Sequence, residues 1–158
     1  MAQRTIKNFQ FMKQAHVRGQ DVHIVTQVVN SVLSLLIFPI QKEDAFFELF
    51  SHVPLSNPPD FRTVRTALPD FPSLPSLRVR QFKNCKNVRR FLKRIRNAVS
   101  HRRIDFSSES HDLDKVMIRL SDVATAKDPS IEWDISISAQ DLLSLCRYIA
   151  DEIIRRVL

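Results

Sequence analysis

The most informative segment of the chain is KNVRRFLKRIRNAVSHRR, residues 86–103. Its apolar residues are spaced at i, i+3, i+4, i+7, i+10 and i+11. They are Val88, Phe91, Leu92, Ile95, Ala98 and Val99. This spacing places them on one stripe of a helix, and nearly every other position is basic or an amide. The segment therefore predicts an amphipathic helix with a buried face and a basic face turned to solvent or to a ligand.

The positive charge of the protein is concentrated around this helix. The chain of 158 residues has 24 Lys and Arg against 17 Asp and Glu, a net charge of +7. Residues 78–103 contain 11 of the basic residues and no acidic one. With no carboxylate in this block to neutralise it, we expect a positive field that attracts a polyanion through its phosphates.

Length and composition exclude several classes of protein. The size suits one domain, so residues 1–158 are predicted to form a single unit. Hydrophobic residues make up 44% and charged residues 26%, which argues against a disordered or membrane-spanning chain. Gly19 is the only glycine, which excludes a glycine-rich phosphate loop. Cys85 and Cys146 lack metal-ligand spacing, so no metal or cofactor is expected. The polar N-terminal sequence indicates the cytoplasm and no membrane association.

Helical spacing dominates the first part of the chain. It predicts a helix around residues 6–12 that ends near Gly19, an apolar helix over residues 22–36 that Pro39 ends, and a short helix over residues 43–50. Residues 52–77 contain six of the eight prolines. We interpret them as a long connection without an element of its own, whose apolar residues wrap the core.

The period changes after the basic helix. Val116, Ile118 and Leu120 alternate with Met117 and Arg119, and over residues 131–137 apolar side chains alternate with polar ones. Both patterns predict strands, which we expect to be antiparallel and joined by a loop. Ser138, with Asp141 three residues later, is typical of the start of a last helix. The expected fold is mainly α: a bundle of four or five helices with a small antiparallel β-hairpin before the C-terminal helix.

The basic helix ends in RNAVSH, residues 96–101, an Arg-x4-His pattern. Loose Arg-x4-6-His matches arise by chance, and Arg18 with His23 is another in this chain. Three features distinguish the match of Arg96 with His101. An amide, Asn97, follows the arginine, the helix is strongly amphipathic, and the surrounding charge has no counterion in the local sequence.

RNAVSH resembles the signature of the HEPN superfamily (higher eukaryotes and prokaryotes nucleotide-binding domains), in which a polar residue, often Asn, follows the Arg. The order of elements is similar too. The resemblance implies either a metal-independent endoribonuclease of toxin–antitoxin, phage-defence or RNA-processing systems, or an inactive binder of RNA or nucleotides. It also implies RNA as a partner, a homodimer through the basic helix, and an antitoxin or regulatory protein as a further partner. Some HEPN toxins are silenced by adenylylation of a tyrosine at the position of Arg103, a route this sequence does not support.

Cleaving RNA without a metal requires removal of the 2′-hydroxyl proton, stabilisation of phosphoryl charge and protonation of the leaving oxygen. His101 could act as acid or base, and the planar fork of Arg96 suits phosphate oxygens. Asn97, one turn before His101, could hold the imidazole or a phosphate. The expected products are a 2′,3′-cyclic phosphate and a 5′-hydroxyl. The candidate RNA-binding residues are Arg89, Arg90, Lys93, Arg94, Ser100, Arg102 and Arg103.

Helix geometry places Arg96 and His101 about 140° apart around the axis. Either the helix ends near His101, the Arg96 side chain reaches around it, or a second subunit completes the pair. Two other functions stay open: a non-catalytic RNA- or nucleotide-binding module, and a structural adaptor whose basic helix docks an acidic protein. His101 could also interact only with the helix dipole.

Overall fold

The computed structural model describes residues 2–19, 23, 25–26, 28–31, 45–108, 110, 112–125 and 128–157. The helices are α1 (Ala2–Val17), α2 (Ala45–Ser51), α3 (Phe61–Ala67), α4 (Val88–Ser100) and α5 (Ala139–Val157). Residues 25–26 and 28–31 are also helical. The strands are β1 (Arg78–Phe82), β2 (Ile104–Phe106), β3 (Met117–Val123) and β4 (Ile131–Ser138). None of the helices in these described ranges is long and apolar enough to cross a bilayer.

The four strands form one antiparallel sheet in the order β1-β4-β3-β2. The predicted hairpin is confirmed as its centre, since β3 pairs with β4, Leu120 lying opposite Ile135 and Asp122 opposite Trp133. The sheet extends beyond that hairpin on both sides. β1 adds to β4, and β2 adds to β3.

The prediction of a mainly α bundle with a small hairpin is therefore wrong, and the fold is mixed α/β with a four-stranded sheet in its core. The two outer strands carry weak sequence signals. β1 has only Val79 and Phe82 as apolar residues, and a register shift between Val79 and Gln81 breaks its alternation. β2 is three residues long, too short for a period of two to show.

The core lies between the inner face of the sheet and the helices. Along β3 and β4 this face contributes five completely buried side chains: Ile118, Leu120, Trp133, Ile135 and Ile137. α4 packs on β3, and its predicted apolar stripe is buried at every position. Phe91 of that stripe meets Trp133 edge to face, with ring centroids 6.0 Å apart. This packing fixes which side of α4 faces outward.

The proline-rich connection differs from its prediction in one respect. It contains a short helix, α3, whose N-cap Asp60 accepts a hydrogen bond from the backbone N–H of Arg62. The expectation that its apolar residues wrap the core is confirmed. Leu55, Phe61, Leu68, Phe71 and Leu74 are all buried. Phe61 stacks on Phe71 at 5.7 Å between ring centroids, so this segment is part of the core.

Ser138 begins α5 as predicted, because its hydroxyl accepts a hydrogen bond from the N–H of Asp141. In a capping box the Asp141 side chain would accept directly from the N–H of Ser138, but here Ser76 lies between them. The Asp141 carboxylate accepts from the N–H and hydroxyl of Ser76, and the Ser76 hydroxyl accepts from the N–H of Ser138. The turn before β1 is thereby tied to the start of α5.

The helix predicted around residues 6–12 is confirmed within α1, and Gly19 after it has a positive φ of 76°. The helix predicted over residues 43–50 is confirmed from residue 45 onward as α2, and residues 43 and 44 lie outside the described residues. Most of the predicted helix 22–36, and Pro39 after it, lie outside the described residues. In the part that is described, Val28 and Val29 are buried in the core.

The two edges of the sheet are polar or short. β1 exposes the side chains of Arg78 and Arg80, and a register shift interrupts its pairing with β4. At the opposite edge, β2 has only three residues, and Phe106 at its end is exposed.

Candidate nucleic-acid interface and catalytic motif

α4 ends at the histidine of the Arg-x4-His motif. His101 is the C-cap, and Arg102 after it is left-handed with φ 56°. Two hydrogen bonds close the end of the helix, from the N–H of Arg103 to the carbonyl of Ala98 and from the N–H of Arg102 to the carbonyl of Val99. This is a Schellman motif with arginine where glycine is usual. Of the three arrangements considered for Arg96 and His101, the ending of the helix is observed.

Because arginine is strained at a positive φ, Arg102→Gly is expected to raise the free energy of unfolding by about 1 kcal/mol. Urea denaturation of the two proteins measures this difference. Ser100→Gly is the matched control: Ser100 is still helical, so glycine there should lower stability by about 0.5 kcal/mol. Destabilisation of similar size by both variants would contradict the assignment of strain to Arg102.

A strongly basic groove runs beside α4. Its volume is about 540 Å³, and its lining side chains are Ser51, Asn84, Lys86, Asn87, Arg89, Arg90, Lys93 and Arg96. We call these eight residues the basic groove. None of them is a carboxylate. Arg96 thus opens onto a surface made of hydrogen-bond donors and positive charge, which suits an anion.

Arg96 has one further unusual feature. Its Nε atom is buried and has no hydrogen-bond partner in the described part of the chain. Buried donors in proteins are nearly always paired, and Arg94 Nε and Trp133 Nε1 are the other exceptions among the described residues.

Asp122 of β3, 3% exposed, collects hydrogen bonds from the end of α4. Its Oδ2 accepts from Arg94 Nη1 at 2.9 Å and from Asn97 Nδ2 at 3.1 Å. Its Oδ1 accepts from Arg103 Nη1 at 3.2 Å and from the N–H of Val123 at 3.0 Å. Residues before and after His101 are therefore anchored to a single buried carboxylate.

Arg94 lies inside the protein, although the sequence suggests a place on the RNA-binding face. It is 4% exposed, and Glu132 Oε2 accepts from its Nη2 at 2.9 Å. Burial opposes the charge of Arg94, but the hydrogen bonds to Asp122 and Glu132 outweigh it and raise the pKa. Because the guanidinium is buried and held by two carboxylates, it is not presented to RNA, and Arg94 is removed from the proposed RNA-binding set.

The expectation that the basic block lacks neutralising partners is wrong for three of its arginines. Arg94 and Arg103 pair with Asp122, and Arg89 pairs with Glu48 of α2. These carboxylates are distant in sequence, so the local charge count could not reveal them. A hydrogen bond from Ser51 and the charge of Arg89 lower the pKa of Glu48, which keeps it ionised beside the groove.

Four other cations of the basic groove have no ion-pair partner in the part of the chain that the structure describes: Lys86, Arg90, Lys93 and Arg96. Arg90 makes only a long hydrogen bond, 3.3 Å from Nε to the carbonyl oxygen of Asn84. The groove therefore keeps most of its positive charge.

The remaining motif residues lie at the exit of the helix. His101, Ser100 and Arg102 are exposed. Asn97 lines a smaller cavity of about 180 Å³ on the side of α4 that faces Asp122. One N–H of its amide donates to Asp122, which leaves the second N–H and the carbonyl oxygen for a ligand or for an imidazole. Arg96 and Asn97 thus face different cavities, with Arg90 and Lys93 lining both.

Sequence reasoning missed several residues of the site. Lys86, Asn84 and Ser51 line the groove but precede the helix or come from α2. Asp122 had a readable signal. Asp122 follows Ile118 and Leu120 at a spacing of two residues, which places all three side chains on the inner face of the strand. A carboxylate in that position requires a buried partner.

Metal ligation and thiol chemistry have no support in the described ranges. No three His, Cys, Asp or Glu side chains there are grouped so that they could hold a metal ion. Burial raises the pKa of the Cys85 and Cys146 thiols to about 12, so neither is a nucleophile at neutral pH.

Comparison with known proteins adds one match. A family model described as HEPN pEK499 p136 matches residues 1–157. No match is found among the curated proteins or among the solved structures. The matched region includes the Arg96–His101 motif, the basic groove and the sheet.

Proposed function

Since the chain belongs to the HEPN superfamily through its match to the HEPN pEK499 p136 family, we propose that it is a metal-independent endoribonuclease that works as a homodimer. HEPN domains typically form dimers and bind RNA, and HEPN families are commonly RNases. The observation that carries the proposal is the position of the Arg-x4-His motif. Its arginine lines a groove in which four of the five cations have no ion-pair partner among the described residues, and its histidine is exposed at the end of the same helix.

The Arg96 and His101 side chains suit the two requirements of the reaction, charge stabilisation and proton transfer. The Arg96 guanidinium would bind the phosphoryl oxygens and stabilise their charge in the transition state. His101 would transfer the proton between the attacking 2′-hydroxyl, the leaving 5′-oxygen and solvent. The bond from phosphorus to the 5′-oxygen breaks as the bond to the 2′-oxygen forms, which leaves a 2′,3′-cyclic phosphate and a 5′-hydroxyl.

A second subunit supplies what one chain lacks. One imidazole cannot remove one proton and donate another at the same instant. Two copies of α4 related by a two-fold axis would place two His101 side chains at one scissile phosphate, one as base and one as acid. The exposure of Ser100, His101 and Arg102 leaves this end of the helix accessible to a partner copy.

The proposal predicts that the purified protein cleaves single-stranded RNA in EDTA. The expected 3′ ends are cyclic phosphates, detected by their resistance to phosphatase until acid opens the ring. A matched oligonucleotide with 2′-deoxyribose throughout has no nucleophile and should stay intact under the same conditions. Cleavage of the deoxy strand, or cleavage that requires added Mg²⁺, would contradict the mechanism.

One observation favours a second candidate, a non-catalytic RNA-binding module. The His101 ring has no hydrogen-bond partner among the described residues, whereas catalytic imidazoles are normally oriented by a neighbouring group. In that case the EDTA assay gives no product at any protein concentration, although RNA binds.

A further inference from the structure

We infer that the basic groove is a track for the sugar-phosphate backbone of a single strand and does not distinguish bases or sugars. This inference rests on the proposed function for its substrate, and it concerns how that substrate is held. It has a direct consequence: single-stranded DNA should bind in the groove as RNA does and inhibit RNA cleavage competitively.

The shape of the groove favours one strand over a duplex. Its volume of about 540 Å³ is in the range of pockets that hold small organic molecules, which suits about one or two nucleotides of a single strand. Arg89, Arg90, Lys93 and Arg96 follow one side of α4 over two helical turns, a rise of about 10 Å. Cations repeated along that length match a short run of successive phosphates.

The chemistry of the lining explains the lack of discrimination. The eight side chains are five cations, two amides and one hydroxyl, and none is aromatic or acidic. Bases stack on aromatic rings or on guanidinium planes, and the groove offers no aromatic ring. Its two amides, which could read a base edge or a 2′-hydroxyl, are engaged inside the protein. Asn84 Nδ2 donates to Glu132, and Asn87 donates to the Ser51 carbonyl and accepts from the N–H of Arg90. Recognition of RNA over DNA requires contacts to the 2′-hydroxyl. Long cationic side chains contact phosphates, which position a strand but carry no sequence information.

Selectivity for RNA would then arise at the chemical step. The 2′-hydroxyl is the nucleophile of the proposed reaction, so a DNA strand fills the groove but cannot react. Arg96 both lines the groove and is the arginine of the Arg-x4-His motif, so the groove meets the motif at this residue. The phosphate bound there would be the one that is cleaved.

The binding test uses the full chain carrying His101→Ala, so that RNA stays intact, and measures affinity for fluorescent 12-nucleotide RNA and DNA over a range of salt concentrations. Each phosphate contact contributes about 0.7 to the slope of log K against log[salt] for a single strand. Lys86→Gln and Lys93→Gln should each reduce the slope by about 0.7, equally for RNA, DNA and different base compositions. Arg65→Gln, which removes an exposed charge on α3 outside the groove, is the matched control and should leave the slope unchanged.

Three results would overturn the inference: unchanged slopes in the groove variants, RNA affinity far above DNA affinity, or polyglutamate binding in place of nucleic acid. The inference and the proposed nuclease can fail separately. If the wild type cleaves RNA but the groove variants keep the wild-type salt slope, the nuclease proposal stands and the backbone-track inference is wrong. If the groove variants reduce the salt slope but the wild type cleaves no RNA, the backbone-track inference stands and the nuclease proposal is wrong.

Discussion

RNA cleavage by the His101→Ala variant is expected to fall by roughly 10²- to 10⁴-fold, the usual contribution of a general acid or base. The His101 side chain is exposed at the end of α4, so its removal should change the stability by no more than about 0.5 kcal/mol. The measurement is single-turnover cleavage of a labelled RNA in EDTA, together with urea denaturation of the same samples. His52→Ala, at an exposed histidine just after α2, should retain full activity.

Mixing experiments extend this prediction to the shared site. If one scissile phosphate needs both imidazoles of a dimer, a heterodimer of wild type and His101→Ala is inactive. Activity after subunit exchange should then fall with the square of the wild-type fraction. A linear decrease would show that each subunit works alone. Cleavage by homogeneous His101→Ala at the wild-type rate would remove His101 from the mechanism.

Asp122→Ala is expected to lower the free energy of unfolding by about 3–5 kcal/mol, the cost of removing one partner from a buried ion pair. Arg94 would lose one of its two carboxylates, and Asn97 and Arg103 would lose their anchor beside His101. Asp122→Asn should be nearly as harmful. Both oxygens of Asp122 accept from donors, and an amide presents a donor to one pair of them.

Two further variants separate stability from positioning. Asp134→Ala is the matched control, because Asp134 is also a buried strand aspartate but its partner Arg119 is partly exposed. We expect a cost of about 1 kcal/mol there. Combining Asp122→Ala with Arg94→Met removes both buried charges and should recover much of the lost stability. RNA cleavage by this double variant should stay low, since Asn97 and Arg103 remain unanchored. Full activity in the stabilised double variant would contradict a positioning role for Asp122.

The parts of the fold that the sequence predicts are those whose pattern repeats within one element. α4 was predictable because six apolar residues recur at helical spacing. β3 and β4 were predictable because their side chains alternate over residues 116–120 and 131–137. α3 was hidden between Pro59 and Pro69, and β1 and β2 were too short or too polar to show a period. The four-stranded sheet, and with it the mixed fold class, depends on pairing between strands that are distant in sequence, and a local pattern does not show such pairing.

The same distinction applies to the candidate site. Arg96, Asn97 and His101 form a local motif, so their chemistry could be proposed from the sequence alone. The burial of Arg94 could not, because Asp122 and Glu132 reach it from strands about 30 to 40 residues away. The groove likewise combines one face of a helix with a loop and the end of α2. A charge count over a local stretch of sequence overestimates the number of unpaired cations when carboxylates distant in sequence form ion pairs with them.

The polar and abbreviated margins of the sheet limit how copies of this protein can assemble. Joining two sheets strand to strand needs a long, flat, unpaired border, and here one border carries arginines and a register shift while the other ends after three residues. Like charges facing each other across such a seam would repel. Continuous intermolecular sheets are therefore disfavoured, which protects the protein from ribbon-like aggregation and leaves helical surfaces for self-association.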